Sequence, residues 1–140
     1  MRGMDAEPAD DRAAVEERYR QYLDRCNEHR FGELDAFVAP DVHVNGVRVG
    51  IHEYGAGLAG VVELFPDFRW TLEELVVDGD RIAARLTDTA TSADGERRIR
   101  IQEFAQYRLA GGLIAEAWGD LDWWRLDAAP DAGEPAKTAS

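Results

Sequence analysis

The stretch Glu116-Ala-Trp-Gly-Asp-Leu-Asp-Trp-Trp124 holds three carboxylates and three tryptophans within nine residues. In an extended chain successive side chains alternate between faces, so Glu116, Trp118, Asp120, Asp122 and Trp124 fall on one side. Such a face is either a solvated edge carrying stray aromatics or the wall of a pocket where a carboxylate handles protons. Desolvation beside Trp118 and Trp124 would raise the pKa of Asp122 or Asp120 and make it a usable acid or base near neutrality.

A second acid stands in a similar setting. In the run 97–109, Ile99, Ile101, Ala105 and Tyr107 share a face with Glu103, while Arg98, Arg100, Gln102 and Gln106 share the other with Phe104. Register at the Gly111-Gly112 turn decides what Glu103 meets. With Ala110 opposite Leu113, Glu103 comes to face Asp120, and two close carboxyls would drive one pKa up. With Leu109 opposite Leu113, Arg100 comes to face Asp122 as a salt bridge. Both registers are open. His43 and Asn45 share a face of an earlier run, where a histidine could orient or protonate a substrate oxygen; a surface polar stripe fits the same alternation. Trp70, Tyr54, Phe65 and Tyr107 suit core packing as well as ligand contact.

The elements that must position these groups follow from periodicity. Val15, Tyr19, Tyr22, Leu23 and Cys26 recur at helical spacing from Asp11 onward. A short second helix is expected with Leu34, Phe37 and Val38 inward, stopped by Pro40. The run 41–49 alternates like a strand. Ile51, Tyr54, Leu58, Val61, Val62 and Phe65 then form a third helical stripe ending at Pro66. Four strands follow, over 68–77, 81–91, 97–109 and 113–124, separated by Asp78-Gly79-Asp80, Ala93-Asp94-Gly95 and Ala110-Gly111-Gly112. Helices first and hairpins last predict an α+β domain over 11–127: a curved antiparallel sheet, a cone-shaped half-barrel, covered by three N-terminal helices. Residues 1–10 and 128–140 have no periodic apolar pattern and are expected to be disordered.

Composition narrows the chemistry. A formal net charge of −12 over 140 residues argues against nucleic-acid binding. No apolar run reaches the ~20 residues of a membrane span, and the first ten residues lack the apolar centre of a secretory signal, so a cytoplasmic location is expected. Cys26 is the one cysteine, and His29, His43 and His52 have no metal-ligand spacing. The run 55–60, Gly-Ala-Gly-Leu-Ala-Gly, follows no suitable strand and is not read as a dinucleotide loop.

The order of elements, with the stretches 37–46, 64–87 and 107–122, resembles the SnoaL-like polyketide cyclase group of the nuclear transport factor two-like superfamily. The stretch from Tyr107-Arg108 through Gly112, Ile114, Glu116 and Trp118 to a following Asp is similar to that group's Tyr-Arg-Phe…Gly-x-Ile-x-Glu-x-Trp pattern. The resemblance implies a small-molecule cavity, no metal, no organic cofactor, and an aspartate of the last strand, Asp122 by spacing with Asp120 as the alternative, that moves a proton during aldol closure. It also implies polar pocket groups on the first strand, where His43 and Asn45 lie, and a homodimer formed through the sheet; Trp118 and Trp70 are expected to pack on a flat substrate. One departure stands out: many members carry Gly-Thr-His where this chain has Ala90-Thr91-Ser92. The expected function is a cofactor-independent acid/base enzyme acting on a small polycyclic or ester-bearing metabolite. The alternatives are a non-catalytic binding or dimeric accessory module, and an epoxide hydrolase-like activation of water.

Overall fold

The computed structural model describes residues 8–119. Helix α1 (Pro8–Asn27) is followed by a single 3-10 turn (Phe31–Glu33), strand β1 (Val38–Val44), strand β2 (Val47–Arg48) and helix α2 (Ile51–Leu64). The meander then runs through β3 (Arg69–Asp78), β4 (Arg81–Thr91), β5 (Arg98–Ala110) and β6 (Leu113–Gly119). All six strands join one open sheet in the order β2-β1-β6-β5-β4-β3. Every neighbouring pair is antiparallel except β1 and β6.

Two α-helices cover the inner face, not three. Leu34 and Phe37 are buried as their spacing predicts, but the backbone N–H groups of Phe37 and Val38 both return to the Leu34 carbonyl, and Val38 then pairs directly with Ile114. That tight turn leaves no length for a second helix. Pro40 does not stop a helix; it lies inside β1, where the β1–β6 pairing slips between Val38 and His43, a place where a missing N–H is tolerated. The run 41–49 is likewise a hairpin rather than one strand. Asn45 (φ 50°) and Gly46 (φ 86°) make the two-residue turn, with Val44 opposite Val47. Left-handed dihedrals at both central positions are what Asn-Gly supplies and what the strand twist favours.

The core lies between the sheet and the helices. Helix α1 contributes Tyr19, Tyr22, Leu23 and Cys26, and α2 contributes Tyr54, Leu58 and Val61, each set at the spacing of one helical stripe. The sheet answers with Ile82, Leu86, Ala90, Ile99 and Ile114 from alternate positions. Each large aliphatic buried here contributes roughly 1.5–3 kcal/mol relative to exposure. Gly55 on α2 lets the 3-10 turn come close: a Cβ there would stand 2.6 Å from the Phe31 carbonyl oxygen. Among the described residues no helix is long and apolar enough to cross a membrane.

Candidate functional site

Register decides which side chains look inward. At the last hairpin Ala110 does pair with Leu113, but the pairing slips between Arg108 and Leu109, leaving Ala115 as the extra residue of a bulge. Beyond it Arg108 faces Glu116, Tyr107 faces Ala117 and Ala105 faces Gly119. The bulge exchanges the two faces. Ala117 is buried, whereas Glu116 and Trp118 turn to the outer face.

The expectation that Glu116 and Trp118 line an interior wall is therefore corrected. Glu116 accepts a 3.2 Å hydrogen bond from the Trp118 indole and a 2.9 Å bond from the Arg108 guanidinium. These two contacts hold its carboxyl below the usual range, so it is an ordinary carboxylate. Trp118 is 41% exposed and reaches the interior only as the rim of a cavity. Asp120, Asp122 and Trp124 lie outside the described residues.

His43 is corrected too. Val42 and Val44 point inward, which places His43 on the outer face, in register with Glu116 and Arg48 and with Nδ1 3.0 Å from the Asp41 carbonyl. It does not line the interior. His29 is half-buried, and its Nε2 lies 2.9 Å from the Phe68 carbonyl. Asn45 holds the rim: its backbone N–H donates to the Ala117 carbonyl at 2.8 Å, and its Oδ1 accepts from the Gly119 N–H at 3.0 Å.

Glu103 is the predicted acid that the fold does bring inside. It lines two small cavities of about 60 Å³ and 30 Å³, and Tyr54 and Tyr107 line both with it. Val44, Asn45, Ala117, Trp118 and Gly119 complete the larger one. Trp70 closes the smaller one from β3, where its backbone N–H donates to Asn27 Oδ1 at 2.8 Å and its carbonyl accepts from Asn27 Nδ2 at 2.9 Å. Phe65 lines neither and is a core residue.

Two buried hydroxyl pairs join α1 to the tyrosines that line the cavities with Glu103. Tyr22 and Tyr54 are 2.6 Å apart, and the Tyr19 hydroxyl donates to Tyr107 at 3.2 Å. Burial pushes all four phenols above their ordinary value, so each remains a neutral O–H. One proton joins each pair, which leaves the other hydroxyl proton of that pair to be donated elsewhere. Burial likewise pushes the Cys26 thiol up to about 12, making it an inert part of the wall.

The residue that sequence reasoning missed is Asp88. It is 0% exposed, in cross-strand register with Trp70 on one side and Ile101 on the other. Glu103 pairs with Leu86, two residues away on the same strand face, so the two carboxyls are diagonal neighbours. Burial, then the Glu103 carboxyl beside it, pushes Asp88 up to about 11. Neither Asp88 oxygen meets an N–H or ordinary O–H donor among the described residues. Ionised, it would be a charge inside an apolar wall; protonated, it has an O–H to turn toward Glu103. The signal was present in the sequence: Ile82, Ala84, Leu86, Asp88 and Ala90 form one apolar row broken by a single acid, the same pattern that singled out Glu103.

Among the described residues no group of three or more His, Cys, Asp or Glu side chains could hold a metal ion. What the site can do is move a proton between a carboxyl pair and a small bound group while phenol hydroxyls stabilise a developing oxyanion.

The relatives agree with this architecture. A SnoaL-like polyketide cyclase of Agrobacterium tumefaciens is 31% identical, with 81% of this chain and 95% of that one covered at a TM-score of 0.72. TsrD of Streptomyces laurentii is 26% identical, with 84% and 95% covered at 0.73. A nuclear transport factor two-like protein of Burkholderia pseudomallei, 18% identical with 82% and 95% covered at 0.69, shares the fold. Among curated proteins none matches. The family model for SnoaL-like polyketide cyclase matches residues 16–128, from within α1 through α2 and the whole described sheet, and the chain belongs to that family.

Proposed function

We propose that this protein is a cofactor-independent acid/base enzyme acting on a small polycyclic or ester-bearing metabolite, by aldol cyclisation or a related isomerisation. The observation that carries the reading is Glu103, an acid on the inner face that lines both cavities together with Tyr54 and Tyr107. Glu103 removes a proton from a carbon next to a carbonyl, and a free phenol O–H stabilises the enolate oxygen. The enolate carbon then attacks a second carbonyl, and the resulting alkoxide takes the proton back. Asp122, with Asp120 as the alternative, remains a proposed proton carrier on its spacing after Trp118.

Cavity size limits how the substrate enters. About 60 Å³ is far below the roughly 300–1,000 Å³ of a pocket that swallows a drug-sized ligand. Only a carbonyl-bearing arm fits beside Glu103, and the ring system rests at the rim formed by Asn45 and Trp118. The same volume suits about two waters, taking ~30 Å³ each. That favours epoxide hydrolysis, with Glu103 activating a water, as the second reading.

The test uses polycyclic aromatic β-keto esters and an aryl epoxide with the full chain in D2O. Deuterium exchange at the carbon between the carbonyls that is faster than in buffer alone, with that acceleration lost in Glu103→Gln, supports the reading. Full acceleration in Glu103→Gln together with its loss in Asp122→Asn or Asp120→Asn moves the base to the last strand. Ligand binding without turnover leaves a binding module. We also propose a homodimer through the outer sheet face, where Val76, Phe104 and Trp118 are exposed. Light scattering of Phe104→Arg against the parent protein tests it, since a dimer should fall to a monomer.

A further inference from the structure

The proton inventory of the inner face does not close with a single acid. Asp88 has no exposed surface, sits between Trp70 and Ile101, and has no donor from the described residues for either oxygen. Glu103 is its diagonal neighbour on β5 and is the member of the pair that reaches both cavities. The groups facing this pair are few. Helix α1 presents Tyr19, Tyr22 and Cys26, α2 presents Tyr54, β5 presents Tyr107, and β3 presents Trp70. Glu73 of β3 is turned to the Thr87 hydroxyl, 2.8 Å away. Glu103 is the one charged group acting on Asp88 among the described residues.

We infer that Asp88 and Glu103 form a dyad that shares one proton, with Asp88 as a positioning residue that holds it and donates to Glu103, keeping Glu103 a carboxylate open to the cavity. The inference rests on the acid/base reading of the same cavity. Two carboxylates side by side in an apolar wall repel, so one must stay protonated, and the member with no route to water is the one that does. A donated O–H lowers the proton affinity of its acceptor, which offsets the burial of Glu103. In the reaction, Glu103 takes the substrate proton as the C–H electron pair passes into the enolate, and returns that proton to the product alkoxide. The Asp88 proton stays where it is throughout. Burial and Glu103 both push Asp88 up, in keeping with this arrangement.

The experiment follows the carboxyl carbons of Asp88 and Glu103 by 13C NMR from pH 4 to 10 in the full chain, without substrate. Asp88 is expected to keep its protonated shift through neutrality. In Glu103→Gln its midpoint should fall by a pH unit or more, a tenfold change in proton affinity. An Asp88 signal that titrates in the ordinary carboxylate range, or one that Glu103→Gln leaves unmoved, overturns the dyad. Turnover supplies a second readout. Asp88→Asn, the same shape as the protonated acid and still a donor, should leave the acid limb of the kcat/KM profile in place. Asp88→Leu should displace the acid limb of the kcat/KM profile upward by a pH unit or more. An acid limb displaced as far in Asp88→Asn as in Asp88→Leu sinks the assignment. Because the titration needs no substrate, the dyad can fail while the acid/base reading stands, and the reverse.

Discussion

The two faces of the sheet carry the same kinds of residue under opposite conditions. On the outer face Glu116 sits in reach of Arg108 and Trp118, and its carboxyl is held low. On the inner face Asp88 is enclosed by Trp70, Ile101 and Glu103, and its carboxyl is driven high. Both are acids on strands of one sheet, with β5 between those strands. Water and a cation make one a fixed charge; their absence makes the other a reservoir for a proton. The arginines follow the same division. Arg85 bonds to Gln102 and Glu74, and Arg98 to Thr91, all across the outer face. The inner face therefore has phenols and carboxyls but no described cation to compensate them.

The largest expected effect that could break this comparison is on catalysis. Glu103→Gln should lower turnover by roughly 10²–10⁴-fold, the range of general acid–base catalysis, with the circular dichroism spectrum unchanged. Glu116→Gln, the outer-face control, should leave turnover within about twofold. Equal losses in the two variants would erase the distinction between the faces.

Next comes the dependence of stability on pH. Asp88 binds its proton more tightly in the folded chain than in the unfolded one, where its value is near 3.8. Its contribution is therefore fully present below that value and is lost as pH rises toward about 11. The slope is about 1.4 kcal/mol per pH unit, so the unfolding free energy taken from denaturant melts should drop by about 3 kcal/mol between pH 5 and pH 7. Asp88→Asn should remove that slope. Asp67, Asp94 and Glu116 are shifted the other way, so their contributions are lost only as pH falls below the ordinary carboxylate range, outside this window.

Smaller effects sharpen the contrast. Tyr22→Phe removes one partner of a 2.6 Å buried hydroxyl pair and should cost about 1–3 kcal/mol in a urea melt, because the Tyr54 hydroxyl is left behind. At the bottom of the scale, Phe104→Ser should change the stability of the single chain by no more than about 0.5 kcal/mol, since the ring is 52% exposed. Its effect should appear in mass measurements instead, if the outer face joins two copies.

How far the sequence disclosed this follows from which forces act locally. The meander was legible because its turns require left-handed backbone, and Gly79, Gly95, Gly111 and Gly112 all adopt positive φ. The stripes of α1 and α2 were legible because burial repeats with the helical period. Trp118 was misplaced for a different reason. The bulge at Ala115 is imposed by how β6 packs between β1 and β5, and a one-residue slip reverses every side chain after it. No local pattern announces that slip. Asn45-Gly46 did announce its hairpin, but the uninterrupted alternation of 41–49 masked it. Asp88 was readable by the rule that found Glu103, and only the contact between them needed three dimensions.

Asn45 has a consequence beyond the turn it makes. Its amide side chain clasps the backbone of Gly119, 74 residues further along, at the last described residue of β6. A lineage that lengthened or restiffened this two-residue turn would thus reshape the doorway to the cavity while leaving the buried acids untouched. On the proposed acid/base reading, selectivity and reactivity would then lie in separate parts of the chain, and one could drift without the other.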